Sequence, residues 1–164
     1  MALTTTTVAA IVTKTISVIK ALSPGQPSDV AFDHVPYDHD LLSWSLANLS
    51  PALRRFEVVD AGPRVEPGQW DSAGFLATRV LSISVAYPTK GRAVYGDTRL
   101  VGLRDMADAD ATLIRDALMS WSNVANGGHH GTRVTVQPLD RGRVEIWIQR
   151  LDATVFYNQA QTLT

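Results

Sequence analysis

An α+β fold, two helices packed on a mostly antiparallel sheet, is what this 164-residue chain predicts. Two stretches place apolar residues at three- and four-residue spacing, several others alternate apolar with polar residues, and Gly, Pro, Asp and Asn cluster between them. The length suits one domain with a real core and is short for two.

The first helical stretch runs from Val8 to Leu22, with Val8, Ile11, Val12, Ile16, Ile19 and Leu22 on one face. Its many Thr, Val and Ile residues have poor helix propensity, so packing would have to hold it, and a strand is the competing reading. Ser23 to Asp40 reads as a loop by its prolines, glycine and Asx residues. Leu41 to Leu53 holds a short helical turn stopped near Ser50 by Pro51, with Trp44 burying the segment, so that a long connection spans residues 23–53.

Arg54 to Asp60 is the first expected strand, with Phe56 and Val58 on one face and Arg55 and Glu57 on the other. Ala61 to Gly74 is turn-rich. Phe75 to Tyr87 carries the strongest strand signal: Leu81, Ile83, Val85 and Tyr87 form a bulky face, while Val80, Ser82, Ser84 and Ala86 form a small one. The bulky face should meet a helix, and the small one another layer or a neighbouring subunit. A basic arm at 88–106 follows Pro88, with Arg92 to Tyr95 and Thr98 to Leu103 as the sides of a hairpin around Gly96 and Asp97.

The central helix lies within Asp105 to Gly128, its body near 108–125. Leu113, Ile114, Ala117, Leu118, Trp121, Val124 and Ala125 form its buried face. Asp105, Asp108 and Asp110 read as N-cap and first-turn carboxylates, and Asn126 to Gly128 as the left-handed stop. Thr132 to Gln137 and Arg143 to Tyr157 are the last strands. In the second, the apolar set sits at Val144, Ile146 and Ile148 but then at Leu151, Ala153, Val155 and Tyr157. Alternation changes phase only with an extra residue, which predicts a β-bulge or break at Gln149 to Leu151.

Net charge is −1, so no global basic field favours nucleic acid. The cations are arginines apart from Lys14, Lys20 and Lys90, a bias that suits bidentate inter-subunit contacts and that a GC-rich genome would also produce. The chain has no cysteine, which removes disulfides, thiol nucleophiles and cysteine metal sites. Met1 to Leu22 lacks a basic region before its apolar part and is interrupted by Lys14 and Lys20. It reads as neither signal peptide nor membrane span, leaving a protein made and used in the cytoplasm as the default expectation.

No catalytic, cofactor-binding or metal-binding residue is assigned, and no cofactor is expected. Asp33, His34, Asp38, His39 and Asp40 crowd one loop, and His129 and His130 adjoin, but their spacing matches no ligand motif. Solvated loop residues are the expected account, with a small metal-dependent hydrolase using Asp38, His39 and His130 as the alternative. No serine lies in a nucleophile elbow, and Gly127 and Gly128 follow a helix where a phosphate loop would precede one. Trp147 shares a strand face with Glu145 and Gln149. If Val144, Ile146 and Ile148 enter the core, its indole points outward as an interface residue, unless a second layer such as the N-terminal helix covers it.

Three features together resemble the tail terminator and tail-completion proteins of long-tailed bacteriophages. They are the apolar N-terminal helix, the strand RVLSISVAYPT running into a proline and basic loop, and the helix ADATLIRDALMSW followed by RGRVEIWIQRLDATVFY. The likeness covers most of the chain outside Ser23 to Leu53. It implies a structural virion protein, assembled in the host cytoplasm, forming a ring commonly of six copies. The ring caps the tail tube, ends its growth and presents the head-joining surface. Its partners would be other copies, the tube protein and a head-completion or connector protein, with DNA passing through the lumen without sequence-specific binding and no membrane involved. Lys90, Arg92, Arg99, Arg104 and Trp147 are the expected assembly residues. Another neck or connector ring of the same particle is the neighbouring alternative.

Overall fold

A computed structural model describes residues 6–25, 31–35, 53–65, 70–71, 74–89, 100–120, 128–141 and 146–160. The N-terminal stretch folds as a helix, α1 (Val8–Lys20), despite its β-branched composition, because Ile11, Thr15 and Ile19 stack along one buried stripe. Thr7 caps it, its hydroxyl accepting from the Ala10 N–H at 3.2 Å. Thr15 tolerates burial by donating to the Ile11 carbonyl at 2.8 Å.

The expected Ser23–Asp40 loop contains a short strand, β1 (Asp33–His34), parallel to the start of β2 (Arg55–Val65). Phe32 and Val35 flank β1 and are buried, Phe32 meeting the Phe56 ring edge-on at 6.4 Å. Two apolar anchors thus outweigh a turn-forming composition. Phe56 and Val58 face the core as alternation required. β2 also continues through part of the segment read as turns, with irregular register between Asp60 and Val65. β3 (Trp70–Asp71) pairs with the start of β4 (Gly74–Pro88), whose Leu81, Ile83, Val85 and Tyr87 are all fully buried.

The central helix, α2 (Leu100–Ser120), starts earlier than the aspartates suggested. Leu100 to Met106 are therefore helical and cannot form the far side of a hairpin arm; residues 90–99 lie outside the described residues, as do Trp44 and 121–127. Leu103, Met106, Ala107, Asp110, Ala111, Ile114 and Leu118 form one buried stripe. Asp105, Asp108 and Asp110 stand inside the helix and cap nothing. Gly128 follows with φ 81°, the left-handed backbone glycine tolerates, and leads directly into β5 (His129–Val136).

β6 (Ile146–Ala160) completes the sheet, ordered β1-β2-β4-β6-β5 with β3 also on β4, and antiparallel except for β1 with β2. The fold is α+β. α2 lies over β5 and β6, α1 over β1 and β2, and the helices touch. The bulge expected at Gln149 to Leu151 does not exist: β6 pairs with β4 in unbroken register from Ile146 to Ala160. The apparent phase change has another cause. Odd positions face the helices throughout, including Trp147 and Gln149, while Ile146 and Ile148 are buried on the opposite face. Gln149 is accommodated because its amide donates to the carbonyls of Gln137 at 2.5 Å and Arg150 at 3.2 Å.

Neighbouring positions on α2 separate burial from exposure. Leu118 is 1% exposed and Met119 49%. Leu118→Ala should cost about 2–5 kcal/mol of unfolding free energy. Met119→Ala should stay within about 0.5 kcal/mol. Urea midpoints at constant m-value check both.

Candidate assembly surface

The sheet has two unlike sides. One is closed by α1 and α2. On the other, exposure is uneven: Ser84, Ala86, Ile146, Ile148, Thr154 and Asn158 are buried, Val59, Val80, Ser82 and Phe156 are half-buried, and Arg150 is exposed. Register places Val59, Ser82, Asp152 and Thr135 in one cross-strand row, with Val80, Thr154 and Arg133 in the next. The mix of β-branched, aromatic, hydroxyl and arginine side chains at partial exposure suits a protein contact more than free solvent. The Arg133 guanidinium lies 6.0 Å from the Phe156 ring centroid.

Trp147 is not part of that side. It is 8% exposed and sits in the core on the helix-facing side, with Arg141 5.9 Å from its ring centroid, so the outward-pointing reading is corrected. The error came from assigning Ile146 and Ile148 to the helix-facing core when they are buried on the other face. Arg104 is exposed in the first part of α2. Lys90, Arg92 and Arg99 lie outside the described residues, as do Asp38, His39 and Asp40. His130 Nε2 meets Asn158 Oδ1 at 2.7 Å. His34 tilts against Phe56 at 5.4 Å, and burial, with the Lys20 ammonium next, holds its imidazole below the usual histidine range. Among the described residues no three His, Asp or Glu side chains gather to hold a metal, and no helix is long and apolar enough to cross a membrane.

Sequence reasoning missed the buried cluster beneath this framework. Arg54, at the turn into β2, has φ 59° and is fully buried, a left-handed backbone that costs a non-glycine residue about 1–2 kcal/mol. Its Nε donates to Asp110 Oδ2 at 2.6 Å, and the Tyr87 hydroxyl donates to the same oxygen at 2.8 Å. The guanidinium also lies 5.8 Å from the Phe32 ring centroid and reaches the Gly25 carbonyl at 3.5 Å. Burial pushes the Asp110 carboxyl up, against the opposing pull of Arg54 and Tyr87. A carboxyl raised on folding contributes most below its unfolded value and loses that contribution as pH rises through the folded one. The cluster joins the N-terminal segment, β2, β4 and α2. The one sequence signal for it was Asp110 falling on the apolar stripe of α2.

A second pair, nearer solvent, closes the irregular part of β2. Asp60 accepts from Arg79 Nε and Nη2, both at 2.7 Å, and from the Gly62 N–H at 2.9 Å. The Arg79 hydrogen bonds and the Gly62 N–H together hold its carboxyl below the usual range.

No protein-family model and no curated protein sequence matches the chain.

Asp110→Ala should destabilise by about 3–5 kcal/mol by stranding the buried guanidinium. Combining Arg54→Met with Asp110→Leu should recover most of that loss in urea titrations. For Asp60 the sign is opposite to that of Asp110. Its stabilisation, at most about 1 kcal/mol because the pair is partly exposed, is complete above about pH 4 and lost as pH falls through the lower folded value. Arg79→Met should flatten that part of the stability–pH curve.

Proposed function

We propose that the chain is the subunit of a ring that caps the tail tube of a long-tailed bacteriophage, ends tube growth and offers the surface to which the filled head joins. The observation that carries this reading is the sheet itself. One face is closed by helices while the other is half-bare over Val59, Val80, Ser82 and Phe156, leaving an amphipathic slab with a side for partners. The segments that carry the resemblance to tail terminators are α1, β4, α2 and β6, and they pack on one another around one core. Arg104, exposed on α2, is placed to make a bidentate contact with an acidic neighbour. A net charge of −1 is compatible with a lumen through which DNA slides. Copies of the chain, the tube protein and a head-completion protein are the partners of this reading, and the virion neck its location.

A closed ring needs a heterologous contact, one patch meeting a different patch on the next copy. Negatively stained protein should show rings, commonly of six, and added protein should halt growth of tail tubes and label their ends. A chain that stays monomeric at every concentration and ignores tube ends would sink the reading. Labelling of a different neck layer would move the ring within the particle.

A further inference from the structure

β1 is held to the body by a short set of contacts. The Asp33 N–H donates to the Arg54 carbonyl at 3.1 Å and the Val35 N–H to the Phe56 carbonyl at 2.8 Å, while Phe32 and Val35 supply the buried side chains. The ion pair of Asp33 with Arg55 spans 3.5 Å on a carboxylate that is 67% exposed, so it adds little. β4 and β6, by contrast, pair without a break from Gly74 to Pro88. An element with so few buried contacts opens locally before the whole domain unfolds. Its opening bares the edge of β2 that it covers at Arg55 and Phe56.

A titratable ring stands inside this short element. Successive strand residues point to opposite faces, so His34 lies on the Phe56 side and Asp33 on the other, toward Arg55. The His34 imidazole is half-buried, tilts against the Phe56 ring at 5.4 Å, and makes no hydrogen bond among the described residues. α1 touches β1 and brings Lys20, in its last turn, near the ring; Arg54, on the same side of β2, is already paired with Asp110 of α2. We propose that β1 is an acid-released strap: a proton on His34, against Phe56 and near the Lys20 end of α1, lets Phe32–Val35 lift from β2 while the helix-packed sheet stays folded. Burial first and the Lys20 ammonium second, outweighing Asp33, hold the imidazole below the usual histidine range. A histidine lowered on folding takes its proton more readily once released. Docking of the strap is therefore complete above the ordinary histidine value of 6.5 and weakens as pH falls through it. The strap belongs to the single chain, whether or not copies assemble.

Hydrogen exchange of the full chain tests the strap. Protection factors, which remove the intrinsic pH dependence of exchange, are compared for the Asp33 and Val35 amides and for Ile83 in β4 and Ala153 in β6. At about pH 7.5 the two strap amides should be protected at least about tenfold less than the other two. Between about pH 7.5 and about pH 5.5 their protection should fall at least about threefold relative to Ile83 and Ala153. His34→Phe keeps a ring against Phe56 and removes the titration, so this acid loss should vanish. Should that variant fail to fold, the His34 ring resonance of wild-type protein decides, with a midpoint below the ordinary value of about 6.5 expected. Strap amides that follow Ile83 and Ala153 at every pH would overturn the strap. An acid loss undiminished in His34→Phe, or a His34 midpoint at or above the ordinary value, would overturn its release by that proton.

Discussion

Arg54 is the point on which the arrangement depends. It stands where the chain turns into β2, in a backbone conformation that glycine would take more cheaply, and it is fully buried. Its main chain receives the Asp33 N–H at 3.1 Å and donates to the Ala86 carbonyl at 3.2 Å, while its side chain reaches Asp110 on α2. A single residue thus ties the N-terminal segment, two strands and a helix.

Much of the fold was legible in the chain because period-2 and period-3.6 patterns survive wherever one face is buried. Leu81 to Tyr87 announced β4, and Ile11 and Ile19 announced α1 against their own propensity. What failed did so for identifiable reasons. Asp105, Asp108 and Asp110 looked like caps because aspartate favours helix starts, yet the stripe through Leu103, Met106 and Ala107 already ran ahead of them. Ile146 and Ile148 looked like the continuation of the Leu151 set because alternation cannot tell a strand buried on one face from one buried on both. Of the candidate site, the half-exposed Val80 and Ser82 face was foreshadowed by its small side chains. The pairing of Arg54 with Asp110 was not, since residues so far apart in sequence meet only through the tertiary fold.

The two sides of the sheet divide the work. The helix-facing side carries the continuous core from Phe56 across Ile83 and Leu151. The opposite side is uneven, with Ile148, Thr154 and Asn158 buried and Val80, Ser82 and Phe156 half-buried. A contact placed there could form and release without threatening the core, which is the separation an assembling subunit needs.

Gln149 closes the account of the sheet. Its buried carboxamide donates to the Gln137 carbonyl as well as to that of Arg150, and the chain leaving β5 is pinned again by the Gln137 N–H to Arg150 and by paired bonds between Asp140 and Ile148. Sliding the last two strands past each other by a residue pair would take the Gln137 carbonyl from that amide, a loss of about 0.5–1.5 kcal/mol for one hydrogen bond. One polar side chain in a greasy layer therefore acts as a ratchet tooth, favouring one alignment of the strands and with it one shape for the rim they form.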